Sequence, residues 1–363
     1  MRSKRSTTTN EDETRANEMA SPTASAASAA TSASHYQVPS LTSTLGLFSV
    51  VVLVCSFRIF DKRMILPYAN AIQNTDMDLE NAYGHSAALC AIQKDGLRYI
   101  DEWVIYNLAI GFETIYLYDN SEHNELAPWH DQLPQSTKER VVIRHFPSFR
   151  AQRPAYTLCW EDIRNRKAHS WIAFFDLDEF LVIKDRTKYP QLMDLLDSLS
   201  LEYGGLAVNW VMFGFNGQTT YEPKPVTLRF QKRDANATNP LVKTIVRAQI
   251  TPNVRSAHFV KYNASETMRT RDTNGKIVGG ARNEDLPNDV AALYHIHTYS
   301  FGEFKERCGR GDVAKKKSEW NMVLACKPNQ TILEEINYNE TVYDPACWEL
   351  LKERAPEYVA KFI

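Results

Sequence analysis

Residues 168–183 read "AHSWIAFFDLDEFLVI", and the reading of this stretch decides the fold. Trp171–Phe175 is wholly apolar, and apolar character resumes at Phe180, Leu181 and Val182. Between them stand Asp176, Asp178 and Glu179. Unpaired charge is costly to bury, so the acids must be paired, solvated at a strand end, or bound to a cation. The reading adopted is a strand, "WIAFFDLDEF", that ends in the acids.

Working outward, strand and helix signals alternate. "AALCAI" (87–92) reads as a buried strand. "LRYIDEWVIYNLAIG" (97–111) has Ile100, Trp103, Val104, Asn107 and Leu108 at helical spacing and stops at Gly111, a natural C-cap. "TIYLYDN" (114–120) and "RVVIRHF" (140–146) read as strands. Helices are predicted over 153–170, with Pro154 in the first turn, and over 190–199. Short β signals follow: "GLAVNWVMFG", "VTLRFQK", "LVKTIVRAQI" and "ALYHIHTYS"; "FGEFKERCGRG" (301–311) reads as a short helix. This alternation predicts an α/β domain on a mostly parallel sheet. Ligands of such sheets bind beyond the carboxyl ends of the strands. Asp95, Asp119 and the acids at 176–179 all fall at such ends.

The chain has 363 residues, 44% apolar and 24% charged, with net charge −2. That is ordinary globular composition, and the charge argues against a nucleic-acid partner. Six cysteines form no CxxC or Cys/His cluster, so no structural zinc is expected; Cys308, Cys326 and Cys347 are candidates for a disulfide. Residues 1–40, with "SPTASAASAATSAS", read as a disordered tail. Residues 41–57 carry no charge until Arg58 and have no A-x-A-like exit, so 41–60 is read as one transmembrane anchor. A stem, 61–84, then leads to the main domain, 85–363. Arg58, Lys62 and Arg63 would hold the following chain in the cytosol. Four N-x-S/T sequons, at Asn236, Asn263, Asn329 and Asn339, point instead to the lumen.

A D-x-D after an apolar strand suits one task. Two carboxylates at a turning strand end can face one hard cation, Mg²⁺ or Mn²⁺, which keeps substrate phosphates as further partners. The cation would bridge the diphosphate of a nucleotide-sugar and stabilise it as it leaves. The bare motif has low specificity, since "DMD" at Asp76–Asp78 is a second copy with no strand before it.

Three blocks narrow the reading. "CAIQKDGLRYIDEWVIYNLAIGFETIYLYDNS" (90–121), "WIAFFDLDEFLV" (171–182) and "HIHTYSFGEFKERCGRG" (295–311) together resemble glycosyltransferase family 92, over roughly 87–311. The resemblance implies a glycosyltransferase A-type, Rossmann-like fold, a UDP-sugar donor with UDP-galactose one candidate, a divalent metal, a glycan acceptor, and a single-pass Golgi-type enzyme with a luminal domain. It places Lys94 and Asp95 at the nucleotide pocket and Asp119 at the uracil or ribose edge. Asp176 and Asp178 become the metal motif, with His295 as a further metal or diphosphate ligand. Asp178 and Glu179 are the candidate catalytic residues, Glu179 as base or as partner of a basic residue. Gly96, Ile296 and Tyr299 depart from the family pattern.

Blander roles stand beside these. Trp103 and Trp171 read as core, His258 as core, and Lys305, Arg307 and Arg310 as a solvated helix face or a diphosphate clamp. Rival functions are a non-catalytic membrane-anchored carbohydrate-binding protein and a metal-dependent nucleotidyl or phosphoryl transferase. The absence of a G-x-x-x-x-G-K-[ST] loop weakens the last.

Overall fold

The computed structural model describes residues 82–249, 253–254, 256–262, 267–310 and 340–363, all within one compact unit, Leu66–Ile363. The tail, the anchor and most of the stem lie outside the described residues, as do Asp76, Asp78, Asn263, Asn329, Asn339 and Cys326. Among the described residues no helix is long and apolar enough to cross a membrane.

The strands are β1 (Ala87–Gln93), β2 (Thr114–Asp119), β3 (Val141–His145), β4 (Trp171–Phe174), β5 (Glu179–Ile183), β6 (Tyr203–Phe213), β7 (Lys232–Arg247), β8 (Asn253–Val254), β9 (Val260–Lys261), β10 (Arg269–Arg271), β11 (Ala291–His295) and β12 (Val342–Tyr343). The main sheet runs β3-β2-β1-β4-β7-β6-β11-β5, with β10 on β6 and β12 on β7; β8 and β9 form a separate pair. Its first four strands are parallel. β7 is antiparallel to both β4 and β6, and β5 is antiparallel to β11. The sheet is therefore mixed, with β7 and β5 running against the other eight strands, within the mostly parallel arrangement expected.

Strand β1 is buried at all seven positions because both faces of the sheet are covered. Ala87, Leu89, Ala91, Ile115, Leu117, Trp171 and Ala173 join one core cluster, with Trp103, Val104 and Tyr106 of helix α1 (Leu97–Ile110). The alternate residues Ala88, Cys90, Ile92, Tyr116, Tyr118, Ile172 and Phe174 join another. Two short helices, α2 (Leu126–Asp131) and α3 (Gln135–Lys138), follow β2, with Leu126 in the first cluster; then α4 (Gln152–Arg166) packs Ala155, Tyr156, Cys159, Trp160 and Ile163 on the second face. Helix α1 ends at Gly111, whose φ of 120° suits glycine and whose N–H donates to the Asn107 carbonyl.

The link between β4 and β5 is short for its task. Phe174 to Glu179 is five Cα steps, about 17–18 Å at full stretch. In a flat sheet the four spacings from β4 to β5 would span about 19 Å. Yet the link is a turn, with the Glu179 N–H donating to the Asp176 carbonyl at 3.1 Å. The sheet must twist and curl until the carboxyl end of β4 meets the far edge strands. There Glu179 pairs with His295 at the carboxyl end of β11.

The remaining helices are α5 (Leu192–Asp197), α6 (Val226–Arg229), α7 (Phe301–Arg310), α8 (Ala346–Arg354) and α9 (Pro356–Val359). "VTLR", read as a strand, is helix α6. The Glu102 carboxylate of α1 accepts from the Val226 N–H at 2.5 Å, and from the Thr227 N–H at 2.8 Å and hydroxyl at 2.6 Å.

A disulfide joins Cys90 of β1 to Cys159 of α4. Cys308 is also disulfide-bonded, to a partner outside the described residues, while Cys347 is a buried free thiol in α8. The Cys90–Cys159 bridge closes a separation of 69 residues. Chain-entropy reasoning assigns such a loop about 4 kcal/mol. Cys159→Ser should therefore lower the unfolding free energy in urea by about 2–4 kcal/mol. An unchanged midpoint would show that the bridge does not hold α4 to the sheet.

Candidate active site

The acidic turn is held from beneath by α1. Trp103 is wholly buried, and its Nε1–H donates to the carbonyls of Asp176 at 3.0 Å and Glu179 at 3.1 Å. The Tyr106 hydroxyl donates to the Leu181 carbonyl at 2.7 Å. Trp103 is thus core, as expected, but its one polar atom fixes both ends of the turn. Trp171 is core too, under the Arg247 guanidinium.

The two aspartates have different surroundings. Asp176 Oδ1 accepts from Gln152 Nε2 at 3.1 Å and from the Tyr156 hydroxyl at 3.2 Å, both on α4. Its Oδ2 pairs with Lys243 Nζ at 2.7 Å. The Lys243 side chain is 0% exposed and lies 3.3 Å from Glu179 Oε2. Burial opposes the charge on Asp176, but Lys243 outweighs it and holds the carboxyl below the ordinary aspartate range. Burial likewise opposes the Lys243 ammonium, and Asp176 and Glu179 more than restore it. Asp178 turns the other way. Its Oδ2 accepts from Arg307 Nη1 at 2.9 Å, and Oδ1 lies 3.5 Å from His295 Nε2. Burial again opposes the charge, and His295 with Arg307 drives the carboxyl far below its usual range.

Glu179 is fully buried, and its Oε2 accepts the Asp176 N–H at 3.0 Å. Burial pushes its carboxyl well above the usual glutamate range against the pull of Lys243. Pairing with a basic residue is what the structure shows; sealed in this way, Glu179 is poorly placed to reach an acceptor hydroxyl as a base. Its Oε1 and the Nδ1 of His295 are buried without a hydrogen-bond partner. Ligand atoms of Asp178, Glu179 and His295 lie within 4.8 Å of one another. Two carboxylates and an imidazole suit Mn²⁺ or Mg²⁺, and orphaned buried atoms are what a missing ligand partner leaves, so the residues fit a divalent cation. Of the predicted trio Asp176, Asp178 and His295, the last two converge. Glu179 stands beside them with Oε1 unpartnered, whereas both oxygens of Asp176 are engaged, by Gln152, Tyr156 and Lys243.

Around this centre, His297 has its ring 5.2 Å from His295, and burial, His295 and Arg307 lower it to about 3. His258 Nδ1 lies 2.8 Å from the Val242 carbonyl, and the His258 and His295 rings both contact Trp210, at 5.6 and 4.3 Å. Lys94 and Asp95 follow β1. Lys94 is half-buried, and Asp95 is exposed with a left-handed φ of 53°. Asp95 lines a cavity of about 190 Å³ with Tyr99, Tyr299, Glu303 and Arg307, the last of which also reaches Asp178. Tyr299, also left-handed at φ 51°, stacks on Tyr99 at 4.4 Å. Asp119 does not reach this cleft. It is 0% exposed and accepts from Gln93 Nε2 and from the N–H groups of Ser121 and Leu126, at 2.6, 2.9 and 2.8 Å. Its surroundings are those of a structural acceptor rather than a nucleotide contact.

Arg307 enters through a buried relay. Glu102 caps α6; Arg229 of α6 pairs with Glu303 of α7, Nη2 to Oε2 at 2.5 Å; and Arg307 lies one turn beyond Glu303. Lys305 instead lies over the Phe301 ring. The residues missed in the sequence are Lys243, Gln152, Tyr156, Arg229 and Glu102. Only Lys243 carried a legible signal, a charge inside the apolar run "LVKTIV". A second cavity, of about 280 Å³, is lined by Tyr106, Lys184, Tyr294 and Asp344. Its polar lining is paired internally, Lys184 to Tyr294, and Tyr294 and Arg233 to Asp344.

An acidic, cation-ready cluster where strand ends meet on a mixed α/β sheet defines a class of site, and comparison with known proteins supplies the family. Residues 93–323 match the family model described as Glycosyltransferase family 92. The chain belongs to glycosyltransferase family 92. A family 92 protein of Oryza sativa subsp. japonica is 27% identical over 151 residues, 41% of this chain and 25% of that protein. One of Arabidopsis thaliana is 25% identical over 174 residues, 46% of this chain and 29% of that protein. The matched stretches thus span little more than a quarter of these relatives' length. Among solved structures, S. aureus TarS 1-349 aligns with TM-score 0.33 and 11% identity, over 66% of this chain and 69% of that one. Its complex with UDP-GlcNAc aligns with TM-score 0.30 and 12% identity, over 46% of each chain.

Trp103→Phe keeps an aromatic ring and removes the donor to the turn. The variant should remain folded but lose about 1 kcal/mol, because two buried carbonyls lose a donor, the Asp176 carbonyl keeping the Glu179 N–H. Hydrogen exchange at the amides of residues 176–179 should quicken. Unchanged exchange there would show that the indole N–H does not hold the turn.

Proposed function

We propose that this chain is a metal-dependent, A-type glycosyltransferase that moves a sugar from a nucleotide-sugar to a glycan acceptor hydroxyl. The observation that carries this is the convergence of Asp178, Glu179 and His295 at the meeting of β4, β5 and β11, in a chain of family 92. The donor is proposed to be UDP-linked, with UDP-galactose one candidate. Asp178, Glu179 and His295 would hold Mn²⁺ or Mg²⁺, which when bound supplies Lewis acidity toward the departing diphosphate. Trp103 and Lys243 keep the turn in place, and Asp95, with Lys94 beside it, borders the adjoining cavity on the donor side.

The chain is further proposed to be a single-pass protein of the secretory pathway, of Golgi type, with the domain after residue 84 in the lumen. The Cys90–Cys159 disulfide supports an oxidising compartment. Asn236 of the Asn-Ala-Thr sequon is exposed, as a glycosylation acceptor must be. One observation favours the rival, a non-catalytic carbohydrate-binding protein: Asp178 already has a cationic partner in Arg307.

Donor hydrolysis by the full chain, screened over UDP- and GDP-sugars with and without Mn²⁺, tests the reading. Asp178→Asn keeps the shape and removes the charge, and should lower the rate about 100-fold or more with the fold intact. Asp76→Asn and Asp78→Asn should change it little. No release from any donor would favour the binding protein, and equal loss from both motifs would refute the assignment.

A further inference from the structure

We propose that Arg307 is a displaceable counter-cation that must leave Asp178 before this carboxylate can coordinate a divalent ion, whereas Lys243 keeps Asp176 out of coordination altogether. The proposal rests on the cation site put forward above and concerns how that site is loaded. It starts from the inequality of the two ion pairs. Asp176 receives three side-chain donors, two on Oδ1 and Lys243 on Oδ2. Lys243 has no exposed side-chain surface and a second carboxylate, Glu179, at 3.3 Å. Separating that pair would strand a buried ammonium and a carboxylate together, which is strongly unfavourable.

The Asp178 pair is of another kind. Arg307 comes from α7 rather than from the sheet, and its side chain is 20% exposed. It makes one contact with the carboxylate, Nη1 to Oδ2 at 2.9 Å, not the bidentate fork that gives such pairs their strength. It also lines the 190 Å³ cavity with Asp95 and the stacked Tyr99 and Tyr299. A guanidinium withdrawn from Asp178 thus has room, an acidic group and aromatic faces beside it. Nearby, Glu179 Oε1 and His295 Nδ1 are buried and unpartnered, so Asp178 is the member of the cluster whose contact with Arg307 must be exchanged. Two cations competing for one carboxylate weaken each other's binding, so Arg307 sets the affinity of the empty protein for metal.

The test is Mn²⁺ titration of the full chain without donor, followed by the electron paramagnetic resonance of free Mn²⁺. Arg307→Gln should bind Mn²⁺ at least about tenfold more tightly than the unaltered chain, a shift of about 1.4 kcal/mol. Arg307→Lys retains a cation with a different reach, and should fall between the two. Lys305→Ala, on the same helix but over Phe301, should leave the affinity unchanged. Asp178→Asn should abolish the binding. If Asp178→Asn abolishes it while Arg307→Gln binds no more tightly than the unaltered chain, the gate is refuted and the cation site stands. If Arg307→Gln does not fold, an Arg307→Lys affinity equal to that of the unaltered chain refutes the gate equally. Absence of any Mn²⁺ binding sensitive to Asp178→Asn overturns both.

Discussion

The site is organised around a lysine that no solvent reaches. Lys243 rises from β7, in the middle of the sheet, and meets Asp176 and Glu179 at the end of β4 and the start of β5. A lone ammonium there would be far more costly than any nearby apolar residue, and so would the two acids without it. Each makes the other tolerable, and together they fix where the turn lies. The indole N–H of Trp103 adds a second constraint by binding the carbonyls at both ends of the turn. What is left facing the cleft is Asp178, beside His295 and Arg307.

The same logic extends outward through buried polar groups. Glu102 is spent on the N–H groups that open α6, and burial drives its carboxyl above the ordinary range. Arg229 closes α6 and meets Glu303 with both side chains 1% exposed. Glu303 also accepts from the Tyr99 hydroxyl at 2.8 Å and from the Ser300 N–H at 3.0 Å. Helices α1, α6 and α7 are thereby tied together, and α7 delivers Arg307 to the acid centre. On the other face of the sheet, the Cys90–Cys159 bridge fixes α4, whose Gln152 and Tyr156 complete the shell of Asp176.

Much of this frame could be read in the chain. Strands β1, β2 and β4 announced themselves because burial on both faces demands largely apolar runs, and Gly111 ended α1 where predicted. The convergence of Asp178 and His295 was likewise legible, through spacing and the family resemblance. The antiparallel insertion of β7 was not, since a strand's direction depends on partners far away in sequence. "VTLR" looked extended because its helix is secured by Glu102, more than a hundred residues earlier. The roles given to Asp119 and Asp176 looked past partners that only folding brings near, Gln93 across the neighbouring strand and Lys243 across the sheet. Yet "LVKTIV" posed the same puzzle as "FFDLDEF", with the opposite sign. A buried cation and buried acids in one chain are each other's natural solution.

A double-mutant cycle on the Lys243–Asp176 pair tests the central claim most directly, with urea unfolding as the readout. Lys243→Met strands the acids and should cost about 3–5 kcal/mol, and Asp176→Asn should also destabilise strongly. If the two residues hold the turn as a pair, the double variant will be less destabilised than the sum of the single ones, by on the order of 1–3 kcal/mol. Strict additivity, or a Lys243→Met protein as stable as the unaltered chain, would contradict the account.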